Sequence, residues 1–129
     1  MSERISSFRD LKVYQAAFAL QQEIFKLTKT FPKEEIYSLT DQIRRSSRSV
    51  GANIAEAWHK RRYQSHFVSK LTDSDAEQAE TQHWLDSSFA CEYIDESVHH
   101  DLLEKCMEIG RMLGSMIENP APFCRKYSK

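Results

Sequence analysis

The stretch from residue 96 to residue 118 reads ESVHHDLLEKCMEIGRMLGSMIE, and it decides the fold class. Its apolar residues recur at steps of three or four, at Val98, Leu102, Cys106, Ile109, Leu113 and Met116. This spacing places them on one face of an α-helix. Asp95, directly before the stretch, predicts an N-terminal cap, and Asn119 with Pro120 predicts the end. The stretch is therefore predicted to form one long amphipathic helix.

Three further segments have helical spacing, at about residues 10–30, 35–61 and 64–93. Phe31 and Pro32 are expected to end the first, because proline forces its predecessor out of the helical region. Ile36 is expected to begin the apolar face of the second, and Phe89 to lie on the inner face of the third. Four helices of similar length with short connections favour antiparallel neighbours. We therefore predict an all-α protein, an antiparallel up-down-up-down four-helix bundle over residues 10–118, with an N-terminal arm (1–9) and a flexible basic tail (119–129).

Composition supports this fold class and narrows the function. Only three Gly and three Pro occur in 129 residues, whereas all-β domains need many turns. The net charge of −1 provides no global attraction to nucleic acid or to an anionic membrane, so any such affinity requires a local patch. Three cysteines without a C-x-x-C pair argue against a disulfide scaffold and a zinc site, and favour a reducing compartment. With neither an apolar signal core nor a membrane-length apolar run, we expect a cytoplasmic protein without membrane contact.

The charged residues are segregated along the chain. Between residues 41 and 62, two acidic residues accompany six basic ones, which are Arg44, Arg45, Arg48, Lys60, Arg61 and Arg62. Between residues 64 and 96, Lys70 is accompanied by eight acidic residues. A basic helix can form ion pairs with an acidic helix within a subunit or between subunits. Such ion pairs determine the relative orientation of the helices more reliably than they stabilise the fold.

A Glu-x-x-His pattern occurs three times and suggests a di-metal bundle enzyme, which needs two such pairs in one layer of the core. The pairs are Glu56 with His59, Glu80 with His83, and Glu96 with His99. Glu80 lies about thirteen residues before the turn near Tyr93 and Glu96 lies just after that turn, so well over 10 Å separates their levels. Glu56 lies near the opposite turn. Phosphate-binding loops and nucleophile elbows are also missing. We therefore predict no metal, no cofactor and no enzymatic activity.

The most unusual stretch is residues 42–57 of the second helix, which combines small residues with polar ones near the inner face. Small residues allow a neighbouring helix to approach closely, and a buried polar group without a partner costs roughly 1–3 kcal/mol. We interpret the polar residues as a network that fixes helix register. A ligand or nucleic-acid site is the alternative. The predicted network consists of Gln42, Arg44, Arg45, Asn53, Glu56, Glu80 and Thr81.

Several of these motifs resemble the four-helix bundle family first described as encoded in intervening sequences of bacterial 23S ribosomal RNA genes. The matching motifs are FRDLKVYQAA (residues 8–17), Phe31-Pro32 with Glu35, LTDQIRR (39–45), Ser49-Val50, NIAE (53–56) and Glu80-Thr81. The chain departs from the family pattern at Ala57, at Ser74-Asp75 and at Gln78. The resemblance implies an antiparallel bundle that assembles into a homopentameric ring. It also implies a fold similar to the accessory proteins of diversity-generating retroelements, pentamers that bind nucleic acid and a reverse transcriptase.

Two functions remain open after this resemblance. The first is a non-enzymatic oligomeric scaffold that contacts RNA or DNA, through Arg48, Lys60, Arg61, Arg62, Lys126 and Lys129. Against it, Arg44 and Arg45 are expected to pair with the acidic third helix instead. The second is a module that binds only proteins, namely further copies of itself and a protein partner. It predicts an exposed apolar patch, for which Trp58, Tyr63 and Trp84 are the candidates.

Overall fold

The computed structural model describes residues 5–124, which are helical over most of their length. The helices are α1 (Lys12–Thr28), α2 (Leu39–His59), α3 (Gln64–Ala90), α4 (Glu96–Glu118) and the short α5 (Ala121–Cys124). Short 3-10 turns at Phe8–Asp10 and Lys33–Glu35 precede α1 and α2. Asp95 caps α4 as predicted, because its side chain accepts a hydrogen bond from the Val98 N–H.

Contacts between the helices establish their directions. Residue numbers rise along one helix as they fall along its neighbour in the pairs Glu56–Lys70, Val50–Ser74 and Ser46–Thr81 between α2 and α3. The same holds for Thr28–Arg44 and Tyr14–Gly51 between α1 and α2, and for Asp86–His99 and Gln78–Gly110 between α3 and α4. The all-α, up-down-up-down antiparallel bundle is therefore confirmed.

The core lies between the four long helices. It contains fully buried large apolar side chains from each of them, including Leu20, Ile24, Ile43, Ile54, Phe67, Leu71, Leu85, Ile109 and Leu113. The contact between α2 and α3 is the most extensive, and that between α1 and α4 is the least extensive of the adjacent long pairs. Ser46, Ser74 and Thr81 are completely buried in the α2–α3 contact, which agrees with the close approach predicted from small residues.

The helix boundaries differ from prediction at one end of the bundle. Helix α1 stops at Thr28, because the next three N–H groups bond to carbonyls three residues back and tighten the chain before Pro32. Helix α2 begins only at Leu39, because Ser38 has the non-helical angles φ −129° and ψ −101°. Ile36 therefore lies outside α2 and is 51% exposed, so its predicted place on the apolar face is wrong. Phe89, at 39% exposed, is also not on the inner face.

Both ends of the described chain pack against the bundle. In the N-terminal arm, the ring of Phe8 contacts Tyr14 edge-on, with 4.9 Å between centroids. At the other end, Phe123 stacks on Phe67 at 5.9 Å and Cys124 is completely buried. Residues 119–129 were expected to form a flexible tail, whereas Ala121–Cys124 form α5 because they carry these apolar contacts. Lys126 and Lys129 lie outside the described residues.

Candidate nucleic-acid interface

Three cations surround one aromatic ring in the groove between α1 and α2. Lys29 Nζ lies 4.7 Å from the centroid of Phe25, and the guanidinium carbons of Arg44 and Arg48 lie 4.8 and 5.6 Å from it. Helix α1 supplies the ring, with Lys29 just after its end, and α2 supplies the two arginines one turn apart. We call Lys29, Arg44 and Arg48 the Phe25 cation cluster. Attraction between a cation and a ring face holds such a group in place, at about 0.5–2 kcal/mol per cation.

Polar groups at the end of α1 hold Arg44 within this cluster. Its Nε donates a hydrogen bond to Thr28 Oγ1 at 2.7 Å, and its Nη2 donates to the Phe25 carbonyl at 3.5 Å. Thr28 Oγ1 in turn donates to the Ile24 carbonyl at 2.8 Å. These carbonyls belong to the C-terminal, partially negative end of α1, where positive charge is favourable. The hydroxyl of Thr28, the carbonyl of Phe25 and the face of the Phe25 ring therefore position Arg44.

None of the three cations of the Phe25 cation cluster forms an ion pair with a carboxylate within residues 5–124, although Asp41 lies in the hollow beside Arg44 and Arg48. The basic members of the ion pairs in that range are Arg45, Lys70, His99 and Lys105. Since the three cluster cations surround one ring, their separations are on the order of a Debye length, roughly 10 Å at 0.1 M salt, and they repel one another. A bound anion would offset that repulsion.

A hollow of about 580 Å³ lies beside the cluster on the outer side of α2. We call it the Tyr37 hollow, and it is lined by Ile36, Tyr37, Thr40, Asp41, Arg44, Arg45, Arg48, Ser49 and Ala52. Tyr37 is 92% exposed, the highest value among the exposed large apolar side chains of the described chain. The hollow thus joins two cluster cations to an exposed aromatic ring.

A second hollow of about 440 Å³ lies where the N-terminal arm meets the end of α2, and Arg9, His59, Arg61 and Arg62 help to line it. Arg61 covers the Trp58 ring at 3.8 Å and donates a hydrogen bond to the Trp58 carbonyl at 2.6 Å. Arg62 lies 5.9 Å from the ring of Tyr63, and Lys60 is exposed beside them. At 1.5 Å per residue, Lys60 is roughly 18 Å from Arg48 along α2. Within residues 5–124, the predicted nucleic-acid residues therefore lie in two groups, with Arg48 in one and Lys60, Arg61 and Arg62 in the other.

The residues of the predicted polar network do not form one network. Arg45 pairs with Glu77 and Glu80 on α3, and Glu80 also accepts a hydrogen bond from Trp84 Nε1 at 3.0 Å. The hydrogen bonds from Trp84 and Arg45 lower the pKa of Glu80. Arg45 thus pairs with the acidic helix, as expected, whereas Arg44 binds at the end of α1 because its side chain reaches Thr28.

The other predicted network residues lie in separate places. Thr81 is hydrogen-bonded to the buried Ser46 at 2.9 Å. Asn53 is half-buried and donates to the Ser49 carbonyl of its own helix at 2.9 Å. Gln42 is half-buried on α2. Glu56 is exposed and pairs with Lys70 at 2.7 Å, and this contact lowers the pKa of Glu56. Buried hydroxyls therefore link α2 to α3, while the charges lie nearer the surface.

Sequence reasoning missed Phe25, Lys29 and Tyr37. Phe25 and Lys29 carried a usable signal, since an aromatic residue and a cation four positions apart meet on one helix face. Tyr37 carried none, because the predicted start of the second helix included it. Trp58 was expected in an exposed patch and is instead buried, since α2 turns its indole inward and Arg61 covers it. Trp84 is half-buried, and Tyr63 is 57% exposed.

Within residues 5–124, no three or more His, Cys, Asp or Glu side chains are grouped so as to hold a metal ion. In the Glu-x-x-His pairs, Glu56 and Glu80 are paired with Lys70 and Arg45. His99 contacts Asp86 at 2.8 Å and stacks on Phe89 at 4.4 Å. Over the same range, none of the helices has both the length and the apolar character that crossing a membrane requires.

Fold and surface together define an all-α four-helix bundle with cationic hollows along its second helix. The family model of the 23S rRNA-intervening sequence protein matches residues 9–115, so the chain belongs to this family. A crystal structure of a protein of unknown function from the S23 ribosomal protein family of Bacteroides thetaiotaomicron is similar, with 30% sequence identity and a TM-score of 0.76. The match covers 83% of this chain and 96% of that one. A search of curated proteins finds no match.

Proposed function

We propose that this protein is a non-enzymatic bundle that assembles with copies of itself and binds the phosphate backbone of RNA or DNA. The Phe25 cation cluster carries the proposal, since its three positive charges are gathered around a neutral ring. Phosphate contacts of this kind release counterions, and their contribution falls as salt rises. The cations at the end of α2, Lys60, Arg61 and Arg62, supply a second group of phosphate contacts.

Charge segregation supports this proposal despite the net charge of −1. Of the arginines on α2, Arg45 lies at the edge of the Tyr37 hollow but is paired with Glu77 and Glu80, which neutralise its charge. Lys29 and Arg48 are exposed, and the acidic side chains of α3 contact Arg45, Lys70, His99 and Gln78 instead. We therefore expect an excess of positive charge over the α1–α2 groove although the whole chain is nearly neutral.

A binding assay at two salt concentrations tests the proposal. Labelled RNA and DNA are titrated with the protein at about 50 and 200 mM salt, and we expect binding that weakens steeply at the higher concentration. The double variant Lys29→Gln/Arg48→Gln removes two exposed cluster cations and should weaken binding. The control variant Lys12→Gln/Arg111→Gln removes the same amount of charge from α1 and α4, outside the cluster, and should weaken binding less. Failure of both nucleic acids to bind at 50 mM salt, or equal loss in both variants, contradicts the proposal.

Ile36 and Tyr37 favour a second function, a module that binds only proteins. Both side chains are more than half exposed and lie next to each other before α2. Exposed tyrosine beside arginine is also the composition of protein interfaces. This function predicts that Tyr37→Ala weakens association with a protein partner or with further copies, and that neither the wild type nor the variant binds nucleic acid.

A further inference from the structure

We propose that the Tyr37 hollow selects single-stranded RNA or DNA, with one base stacked on the Tyr37 ring and the adjoining phosphates on Arg44 and Arg48. This inference rests on the proposed function, because it names the class of nucleic acid that the same surface binds. The sequence-independent attraction of the cations does not distinguish one strand from two. Tyr37 adds that distinction.

Tyr37 lies on a turn that is fixed by hydrogen bonds to its neighbours. The carboxylate of Glu35 accepts hydrogen bonds from Ser38 Oγ at 2.6 Å, from the Leu39 N–H at 3.3 Å and from Tyr93 Oη at 2.7 Å. These bonds tie the α1–α2 connection to the start of α2 and to the α3–α4 connection. A ring carried on a fixed turn loses less conformational freedom when a base stacks on it than a ring on a loose loop.

The hollow has the size and chemistry for a nucleotide. Its volume of about 580 Å³ lies within the range of roughly 300–1,000 Å³ that is typical of small-molecule sites. Arg44 and Arg48 line it together with Tyr37, so phosphate and base contacts are adjacent. Asp41 lines it as well, and its carboxylate repels phosphate but can accept hydrogen bonds from the amino groups of bases. We therefore expect the backbone to follow the Phe25 cation cluster and the bases to face Tyr37 and Asp41.

Only unstacked bases can use such a ring. In a duplex the bases are stacked on each other, and a side chain on a helix surface meets their edges or the backbone instead of their faces. Stacking of single-stranded bases on aromatic side chains is common and tolerates many sequences. An exposed tyrosine beside two arginines therefore favours a single strand over a duplex.

Fluorescence anisotropy with a labelled 12-nucleotide single strand, and with the duplex of the same sequence, tests this inference at low salt. We expect tighter binding of the single strand. Tyr37→Ala should weaken single-strand binding by about five- to a hundredfold and leave duplex binding unchanged. Tyr37→Phe, which retains the ring, should remain within about twofold of the wild type. Phe89→Ala is the control, because Phe89 is also an exposed aromatic residue but lies near the end of α3, outside the Tyr37 hollow and far from the basic residues at the end of α2.

The possible outcomes separate this inference from the proposed function. Equal affinity for strand and duplex, with both reduced by Lys29→Gln/Arg48→Gln, overturns the single-strand inference and retains the phosphate-binding function. Absence of binding to either probe overturns both. If Tyr37→Ala reduces the mass in light scattering but not the affinity for the single strand, the surface binds another copy of this chain and the inference is wrong. A thermal melt of each variant verifies that it folds. We expect the Tyr37 variants to fold, because the Tyr37 side chain is 92% exposed.

Discussion

At the scale of single residues, two glycines of α4 have opposite surroundings. A Cβ added at Gly110 would lie 2.9 Å from Gln78 Nε2, and this side chain is held by hydrogen bonds to Asp75 at 2.9 Å and from Gln82 at 2.8 Å. A Cβ added at Gly114 would meet nothing within 4 Å. The first glycine thus accommodates a polar side chain of α3, while the second has no such neighbour within the subunit.

We expect Gly114→Ala to raise the free energy of unfolding by about 0.5–1 kcal/mol, the difference in helix propensity between the two residues. Gly110→Ala should gain the same propensity but must displace Gln78, so it should be less stable than Gly114→Ala by about 1 kcal/mol. Urea denaturation of both variants gives these values. Equal stabilisation by the two substitutions would show that Gln78 moves aside without cost.

At the scale of elements, the contact between α2 and α3 depends on small buried residues. Ser46 is hydrogen-bonded to Thr81, and Ser74 donates to the Val50 carbonyl at 2.8 Å. Both serines are completely buried, so the two helices lie close together there. Any larger side chain would have to force them apart.

The variant Ser46→Leu should therefore lower the free energy of unfolding by about 1–3 kcal/mol or more, through overpacking and loss of the hydrogen bond. Ser65→Leu, at an exposed position near the start of α3, should change it by less than about 0.5 kcal/mol. Chemical denaturation measures both. A small effect of Ser46→Leu would mean that the α2–α3 contact is not close-packed at this level.

The carboxylate of Glu35 joins the α1–α2 connection to the α3–α4 connection through its hydrogen bonds, and we call this arrangement the Glu35 brace. It should make the free energy of unfolding depend on pH. Hydrogen bonds from Ser38, Tyr93 and the Leu39 N–H lower the pKa of Glu35 from its ordinary value, and the contact with Glu35 raises the pKa of Tyr93 to about 12. A carboxyl group whose pKa is lower in the folded state stabilises the fold above its unfolded pKa. This contribution is lost as pH falls through the folded pKa.

Glu35→Gln should therefore be less stable than the wild type at pH 7, and the difference should shrink as pH falls below about 4. Tyr93→Phe removes one donor and should show a smaller difference with the same trend. The measurement is urea denaturation at a series of pH values. A wild-type advantage over Glu35→Gln that stays constant from pH 7 to pH 3 is inconsistent with this brace.

The elements were largely predictable from the sequence, and their ends were not. Apolar spacing revealed four helices because one buried face repeats with the helical period. The same spacing wrongly assigned Ile36 to α2, because the spacing of apolar residues contains no information about the non-helical backbone at Ser38. Charge segregation indicated that α2 carries the candidate site. It could not reveal that Arg45 faces α3 while Arg44 faces α1, since that depends on the rotation of α2 between its neighbours.

At the scale of the whole molecule, self-assembly remains a prediction. The open space at Gly114 is a feature of a single subunit that an adjoining copy would cover. Light scattering should give a mass that is a multiple of 15.1 kDa, and five subunits is the expected number. A monomeric mass across micromolar concentrations would exclude assembly while leaving phosphate binding to be judged separately.

The most direct test of the account asks which residues the nucleic acid touches. Isotope-labelled protein is titrated with a single-stranded RNA oligonucleotide at low salt, and the amide shifts are followed by NMR. We predict shifts concentrated at residues 25–29 and 36–49, around the Phe25 cation cluster and the Tyr37 hollow, which are abolished by raising the salt concentration. Amide shifts confined to α4, or no amide shifts at low salt, would contradict the proposed binding surface.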